Sequence, residues 1–351
     1  LFRKNHDLMT GNSLWRNNVI PNWSEILTRI PRIDTVDWEN MGLPKRWFIA
    51  TRSAVFVMTL FSALIGLLMA IPGGRFDVVN ALLVTIGLVL AHATNNLVND
   101  WTDHKKGVDK DNYFRTQYGP QPIEDGLLSE QALFKYIVIT GAAALLCGFV
   151  LVFRTDINTF FLMLAGAFFV LFYTYPLKFI GLGEPAVWLV WGPLMVCGSA
   201  YVVSGQWSAE IFWLSLIYGL GPTTVLFGKH TDKLAEDAKK GVRTLPVILG
   251  EQMSRFSVLM IWQIQYLGMA IAVLLGVLSW PFLIVWLAVP KALKNTKYFL
   301  AERPKEKPDD LPEGVWPLYL VAFAFDHNRL FSGLLFLAVL IQIIFPVYIS
   351  F

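Results

Sequence analysis

Residues 82–110 read LLVTIGLVLAHATNNLVNDWTDHKKGVDK, a stretch in which an apolar run turns abruptly into a dense cluster of acids and bases. A membrane-spanning helix needs roughly 20 mostly apolar residues at about 1.5 Å each, and the run that begins near Val78 meets that length. The polar half returns far downstream. Asp103 to Val108 reads DHKKGV, and Asp237 to Val242 reads DAKKGV, again just beyond a long apolar run. A chain that twice ends an apolar helix in the same acidic string predicts a duplicated membrane unit with chemistry at one face.

The whole sequence carries that reading outward. Of 351 residues, 55% are hydrophobic and 16% charged, and the mean hydropathy is +0.51, which excludes an ordinary soluble domain. Apolar runs predict nine spans, beginning near Phe48, Val78, Ala132, Thr159, Glu184, Ile211, Phe256, Ser279 and Leu330. The eighth is the shortest, Trp280 to Leu293, with Pro281 suited to a first helical turn. With a cytoplasmic N-terminus, nine spans leave only Arg75 and Arg154 of the 29 Lys and Arg on the outer side. The positive-inside rule then sets a multi-pass protein of the plasma membrane, with the acidic links inside and the C-terminus outside. The first 46 residues, mixed and Trp-containing, read as a cytoplasmic or interfacial arm, and residues 47–351 as the transmembrane domain. Cys147 and Cys197 fall in apolar runs and read as small buried hydrophobes. Nothing in this layout suggests a nucleic-acid partner.

The two links after the second and sixth predicted helices hold 11 of the 26 acids. At about 100° per residue, Asn96 and Asp100 lie about 40° apart and Asp100 and Asp103 about 60° apart, so all three share one face of the helix end. Like charges so placed repel, and a hard divalent cation held by oxygen is one relief. Gly107 permits a tight turn that returns Asp109 to the same place. A solvated acidic boundary suits one such link equally well. Two links, each closing the second helix of a four-helix unit, instead suit a two-sided metal clamp. The interleaved Lys and Arg suit a diphosphate beside it, with a lipid tail between the helices.

These residues carry a resemblance. Asn96-Leu-Val-Asn-Asp100-Trp-Thr-Asp103 with Asp109, and Lys229 to Val247 containing Asp232, Asp237 and Arg243, resemble the two aspartate motifs of the UbiA superfamily of intramembrane prenyltransferases. The resemblance implies an all-α polytopic fold of nine transmembrane helices, as two four-helix pseudo-repeats plus one, around a central cavity open to lipid. It implies Mg2+ as cofactor, with a prenyl diphosphate and a small aromatic acceptor as substrates. Carried over by residue, Asp100, Asp103 and Asp237 are the expected catalytic acids, and Asp100, Asp103, Asp109, Asp232 and Asp237 the expected magnesium ligands. The expected substrate-binding set is Asn96, Asn99, Lys110, Arg115, Tyr173, Tyr175, Lys178, Lys233 and Arg243. One departure stands out. The family has Asp-x-x-x-Asp in its second motif, whereas Asp232 and Asp237 are five apart with Lys at 233, about 140° around a regular helix. Either the helix distorts there or Glu236 takes the place of an aspartate.

The step from Asp103 to Asp109 and the string Arg115-Thr-Gln-Tyr-Gly-Pro120 resemble the branch that prenylates 1,4-dihydroxy-2-naphthoate for menaquinone. Gln121 and Pro122 depart from that branch, so 4-hydroxybenzoate, homogentisate and chlorophyllide stay open as acceptors. Two other classes compete: a cation transporter, disfavoured because no chain of acids crosses the span centres, and a non-catalytic subunit holding a lipid or quinone.

Overall fold

The computed structural model describes residues 20–110, 114, 119–309, 311–312 and 315–345, and every regular element among them is helical. Three short helices come first: α1 (Trp23–Thr28), α2 (Thr35–Asn40) and α3 (Leu43–Ala50). The side chains of Asn22 and Asp34 accept first-turn amides of α1 and α2, which starts helices too short to persist alone. Their apolar residues Ile26, Trp38, Met41 and Ile49 bury against Leu97, Leu127 and Leu133.

Among the described residues seven helices are long and apolar enough to cross a membrane, and the chain is an integral membrane protein. In order they contain α4 (Phe56–Ala70, inside the span Ser53–Gly73), α5 (Val78–Lys105), α6 (Glu130–Arg154), then, after α7 (Ile157–Phe172), α8 (Gly183–Ser204) and α9 (Ala209–Asp232). The short α10 (Leu234–Lys239) and α11 (Leu245–Leu249) lead to α12 (Glu251–Leu274). After α13 (Val289–Leu300) comes α14 (Tyr319–Ile344), the seventh. The predicted fourth span is α7 (Ile157–Phe172), apolar but only 16 residues long. The predicted eighth is a nine-residue 3-10 run, Trp280–Ala288, continuing into α13.

Two boundaries differ from the sequence expectation. The first long helix begins beyond Arg52 and not near Phe48, because Arg52 takes a left-handed backbone conformation (φ 57°) that ends α3. The last begins at Tyr319 and not near Leu330. Asp326 and His327 lie within its first turns and are paired with neighbouring elements. Lys291 Nζ lies 2.9 Å from Asp326 Oδ2, and the Tyr266 hydroxyl is 2.7 Å from His327 Nε2. A helix in lipid carries polar residues once neighbours satisfy them.

α9 is the axis of the bundle: 78% of its spanning window is buried, against 11% for the peripheral α6. It packs on α8, α12 and α14, while α5 packs on α6 and α4. Small residues set these contacts, since backbones approach closely in membranes where no Cβ intervenes. A Cβ on Gly66 of α4 would fall 2.1 Å from the Val196 carbonyl of α8, and one on Gly219 of α9 would fall 3.0 Å from Gly192 Cα. At that crossing α8 kinks through a π-helical turn, Val190–Leu194, that contains Pro193. The kink places Val187 and Trp191 beside the end of α5, where the functional groups collect.

Candidate active site

α5 carries the first acidic motif on its buried face, with Asp100 and Asp103 3% and 6% exposed. The face inferred from spacing is the one that turns inward. Asp100 pairs with Arg52, the residue at the backbone break. Asp103 receives Lys178 Nζ on both oxygens, at 2.6 and 2.7 Å, and Asn99 Nδ2 at 3.3 Å. Lys178 reaches it from the 3-10 turn Leu177–Ile180 that follows α7. Asn96 Nδ2 donates to the Thr51 carbonyl at 2.8 Å and so ties α5 to the strained turn at Arg52.

The repeated string is a repeated helix ending. Gly107 N–H donates to the His104 carbonyl at 2.9 Å and Val108 N–H to the Asp103 carbonyl at 2.8 Å. Gly241 and Val242 do the same to Ala238 and Asp237, at 3.1 and 2.9 Å. Both glycines have positive φ, 67° and 72°, so each string is a Schellman cap with an aspartate at the same position. The two caps touch: Lys240 Nζ donates to the carbonyls of Lys110 (2.6 Å) and Gly107 (3.2 Å). Asp109, just past the first glycine, is buried at 3% exposure.

The second motif is built differently. The helix does distort: Lys233 separates α9 from α10. Asp232 is nevertheless spent elsewhere, its oxygens accepting the amides of Leu320 (3.3 Å) and Val321 (2.9 Å) at the start of α14. Those are donors a helix N-terminus leaves unpaired. Glu236 is paired with the exposed Lys239 at 2.7 Å. Asp237, 1% exposed, accepts Lys233 Nζ on Oδ1 at 3.1 Å, and its Oδ2 is buried without a hydrogen-bond partner among the described residues.

Between the motifs lies a cavity of about 120 Å³. Arg52, Lys178, Lys229 and Lys233 face it together with the carboxylate of Asp103, and three of these cations are ion-paired, with Asp100, Asp103 and Asp237. Of the expected residues, Asn96, Asn99, Asp103, Tyr173, Lys178 and Lys233 line it, while Asp100 and Asp237 stand one ion pair behind. Tyr175, Lys110 and Arg243 are exposed and outside the lining; Tyr175 instead carries Lys106 Nζ 3.8 Å over its ring. Arg115 lies outside the described residues. The lining also contains groups absent from the expected set: Arg52, Lys229, His230, Asn95 and Trp191. Lys229 had a signal in its i,i+4 relation to Lys233, and Arg52 in its charge at a span boundary. Glu184, which holds His230 Nδ1 at 2.7 Å with both groups buried, gave none because its partner is 46 residues away.

The first motif fits a hard divalent cation in donor chemistry: two carboxylates and the amide oxygens of Asn96 and Asn99 share one helix end. Each acid is here matched to a basic side chain, and among the described residues no three His, Cys, Asp or Glu gather as a metal centre. A second, apolar cavity of about 250 Å³ runs between α5, α6, α7 and α8. It shares His92, Asn95, Tyr173, Val187 and Trp191 with the polar one, so the two form a charged head pocket joined to a lipid-like channel.

The chain is 28% identical over 278 residues to the 1,4-dihydroxy-2-naphthoate octaprenyltransferase of Escherichia coli, covering 75% of this chain and 88% of that protein. It is 25% identical over 186 residues to the UbiA prenyltransferase domain-containing protein 1 of Danio rerio, covering 52% of this chain and 54% of that one. Its fold matches the structure of a UbiA homolog from Archaeoglobus fulgidus bound to GPP and Mg2+, with a TM-score of 0.55 and 14% identity over 84% of this chain and 99% of that one. The UbiA prenyltransferase family profile matches residues 59–312, and the chain belongs to that family of membrane prenyltransferases.

Proposed function

We propose that this prenyltransferase moves a polyprenyl group from a prenyl diphosphate to 1,4-dihydroxy-2-naphthoate, with magnesium as cofactor. The observation that carries this reading is the junction of the two cavities, where a head pocket facing four cations opens into an apolar channel. A prenyl diphosphate has the same division of charge and grease. The choice of acceptor follows the similarity to the Escherichia coli enzyme, which spans most of both chains.

In this mechanism Arg52, Lys178, Lys229 and Lys233 receive the diphosphate oxygens and stabilise the charge that grows on them as the allylic C–O bond breaks. Asp100 and Asp103, with Asn96 and Asn99, would hold magnesium; when bound it supplies Lewis-acid stabilisation of the leaving diphosphate. Tyr173 and Trp191 stand at the junction, where an aromatic face favours the allylic carbocation. The acceptor ring forms the new C–C bond as its hydroxyl gives up a proton and becomes a ketone. The carboxylate then leaves the same carbon as carbon dioxide, its bonding pair restores the aromatic ring, and the oxygen takes the proton back. Asp103 or Asp109 is the base for that proton, a role that typically contributes 10² to 10⁴-fold.

The same reading extends the fold. α7 and the run Trp280–Ala288 with α13 serve as the fourth and eighth of nine spans, in two four-helix repeats plus one, with residues 47–351 as one domain. The acidic links then face the cytoplasm and the C-terminus the outside. The test is transfer of radiolabelled geranylgeranyl from its diphosphate by membranes carrying Asp100→Ala or Asp103→Ala. A loss of about 10² to 10³-fold is expected for each. Wild-type rates in both variants would refute the site.

A further inference from the structure

The second acidic link presents lysines to the cavity where the first presents an acid. Lys229 and Lys233 lie one helical turn apart at the end of α9, and both line the head pocket, whereas Asp232 and Asp237 do not. Each acid of the link is otherwise engaged. Asp232 caps α14 through the Leu320 and Val321 amides, and Arg303 stands 3.9 Å from its Oδ1. Glu236 pairs with Lys239. Asp237 is bound to Lys233, and both are buried, at 1% and 7% exposure. The buried ammonium sits four residues before Asp237, where the Asp-x-x-x-Asp pattern puts a carboxylate.

A buried ion pair of this kind is stable only while both charges stay, because removing one leaves the other uncompensated. Asp237 therefore fixes Lys233 with its charge beside the pocket. Two lysines one turn apart together carry the charge of one divalent ion, and an ammonium binds phosphate as a point charge. We infer that Lys233, positioned by Asp237 and assisted by Lys229, is a built-in cation that takes the place of a second metal ion, so that the enzyme loads one divalent ion, at the first link. The inference rests on the diphosphate reading above. The buried Oδ2 of Asp237, without a hydrogen-bond partner among the described residues, gives it a sharp consequence, for that oxygen would draw in a metal once Lys233 is gone.

The test counts manganese bound to the purified full chain by electron paramagnetic resonance. The probe beside it is a thiolo analogue of geranylgeranyl diphosphate, whose allylic C–S bond resists ionisation. The wild type should bind one ion per chain and Lys233→Asp two. Lys233→Ala, which removes the ammonium without adding charge, should also admit a second ion if the aspartate variant fails to fold. In the presence of a chelator, analogue binding should weaken roughly tenfold or more in Lys233→Ala, the size of a lost charge-assisted hydrogen bond. Two ions in the wild type, or one ion in both variants, would overturn the inference and leave the diphosphate reading standing. Failure of the wild type to bind the analogue at all would overturn both.

Discussion

Lys178 closes on Asp103, its Nζ 2.6 and 2.7 Å from the two carboxylate oxygens, with both side chains buried. Arg52 pairs with Asp100 through one carboxylate oxygen. The basic residues of the head pocket thus neutralise its acids and stand ready to turn to a diphosphate, so ion pairing in the site is also its means of binding.

Lys178→Met should leave Asp103 as an uncompensated buried charge and destabilise the protein by about 3–5 kcal/mol. Adding Asp103→Leu should return most of that stability without returning activity. Thermal unfolding in detergent and prenyl transfer, measured on the single and double variants, separate the two effects. Recovery of transfer in the double variant would contradict the assignment of this pair to the site.

Asp232→Ala should behave as the loss of a helix cap, costing about 1–2 kcal/mol. Transfer per folded molecule should stay within a few-fold of the wild type, in contrast to Asp103→Ala. The comparison needs both a melting curve and a rate normalised to folded protein. A selective loss of rate with unchanged melting would return Asp232 to the metal site.

Gly166 lines the apolar cavity, and a Cβ added there meets nothing within 4 Å. Gly166→Phe should therefore fold normally and shorten the channel. The ratio of kcat/KM for geranyl over geranylgeranyl diphosphate should rise at least about tenfold, the scale of one methylene in an apolar pocket. An unchanged ratio would place the prenyl chain elsewhere.

At the opposite face, Asp156 accepts the Tyr201 hydroxyl at 2.6 Å and the amides of Asn158 and Thr159 at the start of α7. The Tyr201 hydrogen bond, with those amides, holds its carboxyl below the usual carboxylate range against an opposing desolvation. A depressed pKa stabilises the fold above the unfolded value and ceases to do so as pH falls through the folded one. Asp156→Ala should therefore lower the melting temperature at pH 7, with the gap from wild type closing below about pH 3.8, the ordinary value. A gap independent of pH would show that the charge of Asp156 is not what matters.

Much of this was legible where it is local. The inward face of Asn96, Asp100 and Asp103 follows from helical spacing, and the DHKKGV and DAKKGV strings encode two matching helix ends because glycine alone enters φ > 0 cheaply. What depends on distant partners was not legible. Asp232 looks like a motif acid until the start of α14 arrives to claim it, and Asp326 and His327 look out of place in a span until Lys291 and Tyr266 arrive. Glu184 and His230 become a pair only in three dimensions. The spacing of Asp232 and Asp237, anomalous on a regular helix, reflects a link in which the cavity faces Lys229 and Lys233.

The purified chain, magnesium and geranylgeranyl diphosphate, offered a panel of 1,4-dihydroxy-2-naphthoate, 4-hydroxybenzoate and homogentisate, give products that mass spectrometry identifies. A naphthalenediol that has gained the prenyl group and lost carbon dioxide, formed only with magnesium and not by Lys178→Met/Asp103→Leu, is the expected result. Absence of that product, or transfer only to another acceptor, would contradict the proposed function.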